Sequence, residues 1–522
     1  MHVTEDTVAL LLVFIFTCAY FGLTISKALH ELPWTDEVST LWGIRYLPVT
    51  RLWSALARGI DGSPPTYYYL QAAIAHFWGS GLLAMRFASI VAFYVLMLSV
   101  FRVLRNAAGG ALAAFAMIIP LLTGARACAT WVRPHAILAA CFGVALVIWT
   151  RGYAKWRGRR TAAFAIVLTI AIAFHLYGLV LVASFAAMEA IWSLRYSEIR
   201  WGVWLALTIA ALSLLFWLPF YIQVKQWGLA NAAGVAFFMR PTITALVGGT
   251  ASILFSPHLC ILYGLIAFYS VVPSLTNQKL HRGLEHSSAE SAASHAWPAY
   301  LDIAMMGAML LPVIAFLFAL LVTKRFSPRY YYAVAVAPAL FLPAILSRLR
   351  FAKSFCILAV LAVSLLAAQQ AFAKRSDSIE SMISSLERLN KAPSILVPNG
   401  SDFINLSESV PSQMRARLVY PLMPPAFQMS DIEPRFLVQA WGHWRPDLNI
   451  VPIERFLARR EPFYVVVNPM DPRENITDWL IHHGELHIVE QSPELIILEA
   501  NGASFSNYLS SRLPDSKSAS QH

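Results

Sequence analysis

The sequence predicts a polytopic α-helical membrane protein, with about eleven transmembrane helices and a small C-terminal α/β domain. Three observations predict it. The chain of 522 residues is 58% hydrophobic and only 13% charged, where a soluble chain carries about 25% charged residues. Its apolar residues fall in repeated stretches of about 20, each able to span roughly 30 Å of hydrocarbon as a helix that satisfies its own backbone. These stretches stop near residue 373, and charges and prolines rise beyond it.

The first apolar stretch, 8–29, follows Glu5 and Asp6 with no Lys or Arg before it. It lacks a small-x-small cleavage site and reads as a retained helix, not a signal peptide. The other spans fall near 86–105, 109–126, 134–151, 161–175, 177–194, 202–221, 255–273, 302–323, 330–347 and 354–372. The apolar run around His175 is too long for one span, so it must be two helices with a tight turn. Alternate loops are basic: Arg102 and Arg105; Arg151, Lys155, Arg157, Arg159 and Arg160; Arg195 and Arg200; Lys279 and Arg282; Arg348, Arg350 and Lys353. By the positive-inside rule these loops and the N-terminus are cytoplasmic, and the C-terminal domain is extracytoplasmic. The net charge of +11 is therefore a topological signal and no argument for nucleic acid.

Domain boundaries follow: 1–373 membrane-embedded, with an external loop at 30–85; 374–502 a small α/β domain; 503–522 a Ser-rich disordered tail. In the α/β domain, 394–398, 463–467 and 495–499 read as buried strands. Ser378 to Leu389 and Asn475 to His483 read as helices, the second capped by Asn475 or Thr477. In the external loop, Thr50 to Ile60 and Thr66 to Trp78 read as amphipathic helices on the outer membrane face. Cys18, Cys128, Cys141, Cys260 and Cys356 sit in or beside apolar segments and read as small buried residues.

Ionisable groups avoid the span centres. Glu189 and Asp302 lie near cytoplasmic ends, whereas Asp36, Glu37, Asp61, Arg126, Arg133, His175, Lys225, Arg240, Lys324, Arg325 and Arg329 gather on the outer side. An ion-coupled carrier is expected to keep such groups near the midplane, and no inverted repeat is visible. Four motifs stand out. Asp36-Glu37, in a polar loop after the first span, offers a carboxylate for proton abstraction or caps a solvated helix. Asp61-Gly-Ser-Pro64-Pro65-Thr-Tyr67-Tyr68-Tyr69 starts a helix on its Pro pair and supplies an interfacial tyrosine belt. Trp131-Val-Arg133-Pro-His135 and Arg329-Tyr330-Tyr-Tyr332 put an Arg at the outer membrane edge, to grip a lipid phosphate bidentately or to snorkel to headgroups. His175-Leu-Tyr177 lies at an outer turn, with no second His at ligand spacing.

In order and spacing these motifs resemble the GT-C superfamily of polyprenyl-phosphate-sugar glycosyltransferases, and within it the protein O-mannosyltransferase-like and lipid A aminoarabinose transferase-like group. The Asp-Glu pair after the first span is Asp36-Glu37; Asp-x-x-Pro-Pro-Leu-Tyr-Tyr is matched by Asp61 to Tyr68; Leu-Arg-x-x-Ser by Met85-Arg86-Phe-Ala-Ser89; Glu-Ala-Arg-Pro-Tyr by Trp131 to His135. His-Tyr after the fifth span is similar to His175-Leu-Tyr177, and Arg-Tyr before a late span to Arg329-Tyr330. The resemblance covers roughly 8–350. Ser63, Val132 and His135 stand where many relatives have His, Glu and Tyr.

The resemblance implies a GT-C-like fold in a bacterial plasma (inner) membrane. It implies transfer of a sugar from a polyprenyl-phosphate donor to an extracytoplasmic acceptor, a lipid, glycan or protein. Membrane lipid and the lipid-linked donor would be its partners. No cofactor is required by it, and a divalent metal is left open. The catalytic residues it implies are Asp36, as general base, and Glu37. Its substrate-binding residues are Asp61, Pro64, Pro65, Tyr67, Tyr68, Arg86, Arg133, His135, His175, Lys324, Arg329 and Tyr330. The competing classes are a transporter or flippase of a lipid-linked sugar, and a non-catalytic membrane scaffold.

Overall fold

A computed structural model describes residues 5–151, 158–231, 240–277, 297–349, 351–373, 378–389, 394–422, 432–467, 480, 482, 484–491 and 495–505. Up to Phe372 the α-helices in chain order are α1 (Glu5–His30), α2 (Thr35–Tyr46), α3 (Val49–Ala55), α4 (Pro65–Trp78), α5 (Leu82–Ala108), α6 (Gly110–Leu122), α7 (His135–Thr150), α8 (Gly158–Phe174), α9 (Gly178–Tyr196), α10 (Trp201–Leu212), α11 (Leu214–Asn231), α12 (Ile243–Leu254), α13 (Pro257–Asn277), α14 (Ala299–Phe318), α15 (Val336–Leu346) and α16 (Ala352–Phe372). The chain packs as two units. One comprises Met1–His30, Ser63–Tyr221 and Met239–Ala373; the other comprises Glu31–Gly62, Ile222–Phe238 and Lys374–His522. Residues Glu31–Gly62, from the first half of the external loop, pack with the C-terminal region.

The first unit is the apolar helical one. All eleven apolar stretches of the sequence are helical. Seven described helices or helix runs are long and apolar enough to cross a membrane: α1, α5, α9, Trp201–Trp227, Ala299–Thr323, Pro328–Leu346 and α16. Two bent pairs raise the number to nine, α6 with Gly124–Thr130 (80°) and α12 with Pro257–Phe268 (67°). Helices α7 and α8, of 16 and 17 residues, rise only about 24–26 Å at 1.5 Å per residue, short of the roughly 30 Å core. Helix α12 was missed because its 12 residues carry two glycines and too short an apolar run.

Apolar residues line both faces of these helices. Helix α1 buries Ala9, Leu12 and Phe16 but exposes Leu10, Leu11 and Phe14, as a lipid-facing helix does. It packs on α16 and α6, and the Tyr20 hydroxyl donates to the Ile90 carbonyl of α5 at 2.8 Å. Among the described residues of this unit one ion pair is buried. Glu189 of α9 is fully buried and accepts from Arg200 Nε at 2.9 Å, from Arg200 Nη2, and from Trp149 Nε1 of α7 at 3.1 Å. The Arg200 guanidinium lies 4.1 Å from the Trp192 ring centre and 4.9 Å from that of Trp149. Burial is tolerated because each charge is paired and hydrogen-bonded.

The second unit holds α17 (Ser378–Glu387), β1 (Ser394–Leu396), α18 (Gly400–Ser409), α19 (Ser412–Arg415), β2 (Leu418–Leu422), α20 (Ile432–Trp444), β3 (Ile450–Pro452), α21 (Ile453–Leu457), β4 (Pro462–Val467), β5 (Leu486–Gln491) and β6 (Ile496–Asn501). The six strands form one sheet in the order β3-β2-β1-β4-β6-β5. The first three pairings are parallel and the last two antiparallel. The three strands expected from sequence correspond to β1, β4 and β6. Strands β2, β3 and β5 carry weaker signals, β5 because Leu486–Gln491 is largely exposed and mixes His, Glu and Gln with its apolar residues. The expected helix at 475–483, with its caps, and the tail beyond 505 lie outside the described residues.

Candidate functional site

In the first unit, a sharp bend builds the approach to one set of residues. Pro120 lies in the last turn of α6, and the chain then turns by 80° into a 3₁₀ segment, Gly124–Thr130. Gly124 is required there: a Cβ would sit 2.3 Å from the Ser252 carbonyl oxygen of α12. The chain then crosses α5, where Ser89 donates to the Trp131 and Arg133 carbonyls, and enters α7 at His135. Both ring nitrogens of His135 are without a hydrogen-bond partner although the residue is only 1% exposed. Its ring faces His175 at 5.5 Å, Tyr330 at 6.0 Å and Trp131 at 6.4 Å between centres. Arg133 and Arg329 are near enough for their charges to act on it.

His175 occupies the turn between α8 and α9. Its Nδ1 accepts from the Tyr177 backbone N–H at 3.1 Å, so the neutral ring carries its proton on Nε2. Tyr177 stacks on Tyr330 at 4.1 Å, lies 2.9 Å from the Thr323 hydroxyl, and donates to the Arg325 carbonyl. Tyr330 belongs to the 3₁₀ segment Pro328–Ala335, which also carries Arg329, its guanidinium 5.7 Å from the Tyr330 ring centre. Arg133, His135, His175, Arg329 and Tyr330, expected separately from three motifs, therefore converge. No histidine stands at ligand spacing from His175 in the sequence, but His135, 40 positions away, lies beside it in space. Tyr177, Trp131 and Tyr332 complete the aromatic surround, with Trp131 and Tyr332 6.0 Å apart. The His-x-Tyr spacing pointed to Tyr177.

The remaining expected residues of this unit lie elsewhere. Arg86 is buried and donates to the Ala28 carbonyl at 3.2 Å, tying α5 to the end of α1. Pro64 and Pro65 open α4. Tyr67 and Tyr68 are fully buried, 6.2 Å apart edge to face, and Gln71 donates to the Tyr67 hydroxyl at 2.7 Å. They are core residues, which corrects the expected interfacial belt; of the three tyrosines only Tyr69 is exposed. Lys324 is exposed, in a left-handed conformation, and its ammonium donates to the Leu320 carbonyl of its own helix.

In the second unit, Asp36 and Glu37 begin α2. Glu37 is buried and Oε2 accepts the Trp34 backbone N–H at 3.3 Å, a cap on its own helix. Asp36 is half-buried and its carbonyl accepts from the Thr40 hydroxyl at 3.2 Å. Further along α2, Ser39 donates to the Ile60 carbonyl at 2.7 Å and accepts from Trp441 Nε1 of α20 at 3.0 Å. Trp42 packs edge-on against Trp441 at 5.3 Å, and its Nε1 donates to Glu408 of α18 at 2.8 Å. Arg45 pairs with the same carboxylate. Asp61 is half-buried and extended, just past a π turn in which Gly59 has φ +90° and lies against Trp227. Glu408, Trp441 and Arg445 carried no sequence signal, because they stand more than 360 positions from α2.

Arg445 lies over the Tyr46 ring at 3.8 Å and donates from Nε to Asp447 at 2.7 Å. That hydrogen bond holds the Asp447 carboxyl below the usual carboxylate range, against the opposing effect of burial. A depressed carboxyl stabilises the fold above its unfolded value near pH 4, and the contribution is lost as pH falls through the folded value. Thermal unfolding followed from pH 6 to pH 3 is therefore expected to show a shallower acid loss for Asp447→Asn than for the native protein. Among the described residues no three His, Cys, Asp or Glu side chains converge as metal ligands, so no step is assigned to a metal.

No protein-family model matches the sequence, and no curated protein does. Among solved structures, ArnT from Cupriavidus metallidurans in the apo state is similar over 95% of this chain and 98% of its own, at TM-score 0.55 and 12% identity. The same protein bound to undecaprenyl phosphate is similar over 94% and 97%, at TM-score 0.54 and 12% identity. An oligosaccharyltransferase from Archaeoglobus fulgidus, in complex with zinc and sulfate, gives TM-score 0.39 at 13% identity over 87% and 68%. The chain thus has the fold of ArnT over 95% of its length, with apolar helices long enough to cross a membrane and a small C-terminal sheet domain.

Proposed function

We propose that the chain is a membrane glycosyltransferase that moves a sugar from a polyprenyl-phosphate donor to an extracytoplasmic acceptor. One observation carries the reading: its fold follows, over 94% of its length, that of a protein whose solved structure holds undecaprenyl phosphate. The setting is the bacterial inner membrane, with the N-terminus cytoplasmic and the sheet domain outside.

Asp36 takes the proton of the acceptor hydroxyl as general base. The hydroxyl oxygen attacks the anomeric carbon, the bond from that carbon to the phosphate oxygen breaks, and polyprenyl phosphate leaves with an additional negative charge. Arg133 and Arg329 hold the phosphate and stabilise that charge. Lys324 is not assigned this task, since its ammonium already serves its own helix end. His135 and His175 supply further donors to the phosphate or sugar, Tyr330 an aromatic face. Asp61 with the Pro64-Pro65 turn shapes the sugar and acceptor pocket, and Glu37 holds the helix that carries the base.

The test is reconstitution of the purified protein in vesicles with a panel of polyprenyl-phosphate sugars and mass spectrometry of the lipids. Sugar-free polyprenyl phosphate should accumulate with at least one donor. Donor crossing the bilayer with its sugar intact would instead identify a flippase. For Arg133→Ala the apparent KM for the donor is expected to rise about 10- to 100-fold, as for a lost charge-assisted hydrogen bond of roughly 1.5–3 kcal/mol. An unchanged donor KM would make Arg133 a headgroup anchor only.

A further inference from the structure

We infer that Trp441 and Glu408 of the C-terminal domain are positioning residues for Asp36, so that this domain is the mount of the base. The inference rests on the reading of Asp36 as base. Helix α2 has 12 residues, and a helix of that length is marginal in water by itself. It is held from the side instead. Ser39, Trp42 and Arg45 stand three residues apart, each beside the next in a row that winds around the helix, and each meets the C-terminal domain: Ser39 through Trp441, Trp42 through Trp441 and Glu408, Arg45 through Glu408. Asp36 is the i, i+3 neighbour of Ser39 on the N-terminal side, about 4.5 Å from it along the axis.

The Ser39 hydroxyl is the junction. It donates to the Ile60 carbonyl at the far end of the loop and accepts the Trp441 indole N–H. Both its hydrogen bonds are buried, so loss of either partner leaves a polar atom without water to replace it. A helix freed at this point rotates or slides by fractions of a turn. Displacement of a reacting group by 1 Å costs about 10²-fold in rate, while donor binding, assigned to the other unit's arginines, is untouched.

Trp441→Phe keeps the ring and deletes the N–H; Ser39→Ala deletes the same bond from the helix side. With the reconstituted enzyme, each is expected to lower kcat about tenfold or more with donor KM unchanged. The double variant is expected to be no worse than the worse single one, because both remove one shared interaction. Glu408→Gln should lower kcat less, since its amide oxygen still accepts from Trp42. Single variants within twofold of native kcat, or losses that multiply in the double variant, would overturn the inference. If Trp441→Phe yields no folded protein, Ser39→Ala decides alone. The two readings fail separately: active Asp36→Asn removes the base, whereas inactive Asp36→Asn with fully active Ser39→Ala removes only the mount.

Discussion

Transfer by Asp36→Asn is expected to fall by about 10²–10⁴ in kcat, the range ordinarily contributed by a positioned acid or base. Asn keeps the size of the side chain and loses only its ability to take a proton. The substituted residue sits in the first turn of α2, where Asn is well tolerated beside the helix start. Because the neighbouring Glu37 makes the cap at Trp34, the helix end survives the change. Turnover in proteoliposomes, with an unfolding midpoint equal to that of the native protein, measures the effect. Transfer near the native rate in the folded variant would remove Asp36 from the mechanism, and Glu37→Gln measured alongside would show whether its neighbour has taken the role. For Glu37→Gln a smaller loss is expected, since the amide oxygen can still accept the Trp34 N–H.

The second large effect is on stability. Glu189→Ala leaves the Arg200 guanidinium 6% exposed between two indoles with its counter-ion gone. Breaking a buried pair by removing one partner costs about 3–5 kcal/mol, a large share of the roughly 5–15 kcal/mol that keeps a fold together. The loss falls on three helices, since Trp149 on α7 also loses its acceptor. Glu189→Gln retains that acceptor and should cost less. The double variant Glu189→Met with Arg200→Met should recover most of the stability, because hydrophobic replacement of a whole buried pair is commonly neutral or stabilising. Thermal unfolding in detergent reads all four proteins. A native midpoint for Glu189→Ala would show that the pair is replaceable by water.

The helical part of the fold was readable because spans are written as length and apolarity, and those depend on local sequence alone. Where an apolar run is short the reading is weaker: His135–Thr150 and Gly158–Phe174 are helices of only 16 and 17 residues, and Ile243–Leu254 carries no sequence signal. The C-terminal sheet was half readable. Its buried strands β1, β4 and β6 carry apolar runs, whereas β5 is polar enough to pass for loop. Site residues were found by order along the chain, and this gave names without neighbours. Sequence treats Arg133, His175 and Arg329 as distant, and only the bend after α6 and the turn between α8 and α9 make them one group. Tyr67 and Tyr68 show the opposite error. Aromatic residues near a membrane edge read as an interfacial belt, yet these two fill the core because α4 packs against α5 and α8. The partners of α2 were unreadable, since hydrogen bonding across hundreds of residues leaves no local period.

The composition of the second unit from 31–62, 222–238 and 374–522 has a consequence for how the protein is made. Trp42 and its acceptor Glu408 are separated by 366 positions. At about 5–20 residues per second, the ribosome delivers the second roughly 20 to 70 s after the first. During that interval α2 is without its C-terminal partners, while the intervening helices are made. Under the function proposed above, transfer then begins only with the last part of translation, because until then the helix that carries Asp36 lacks the side chains that hold it.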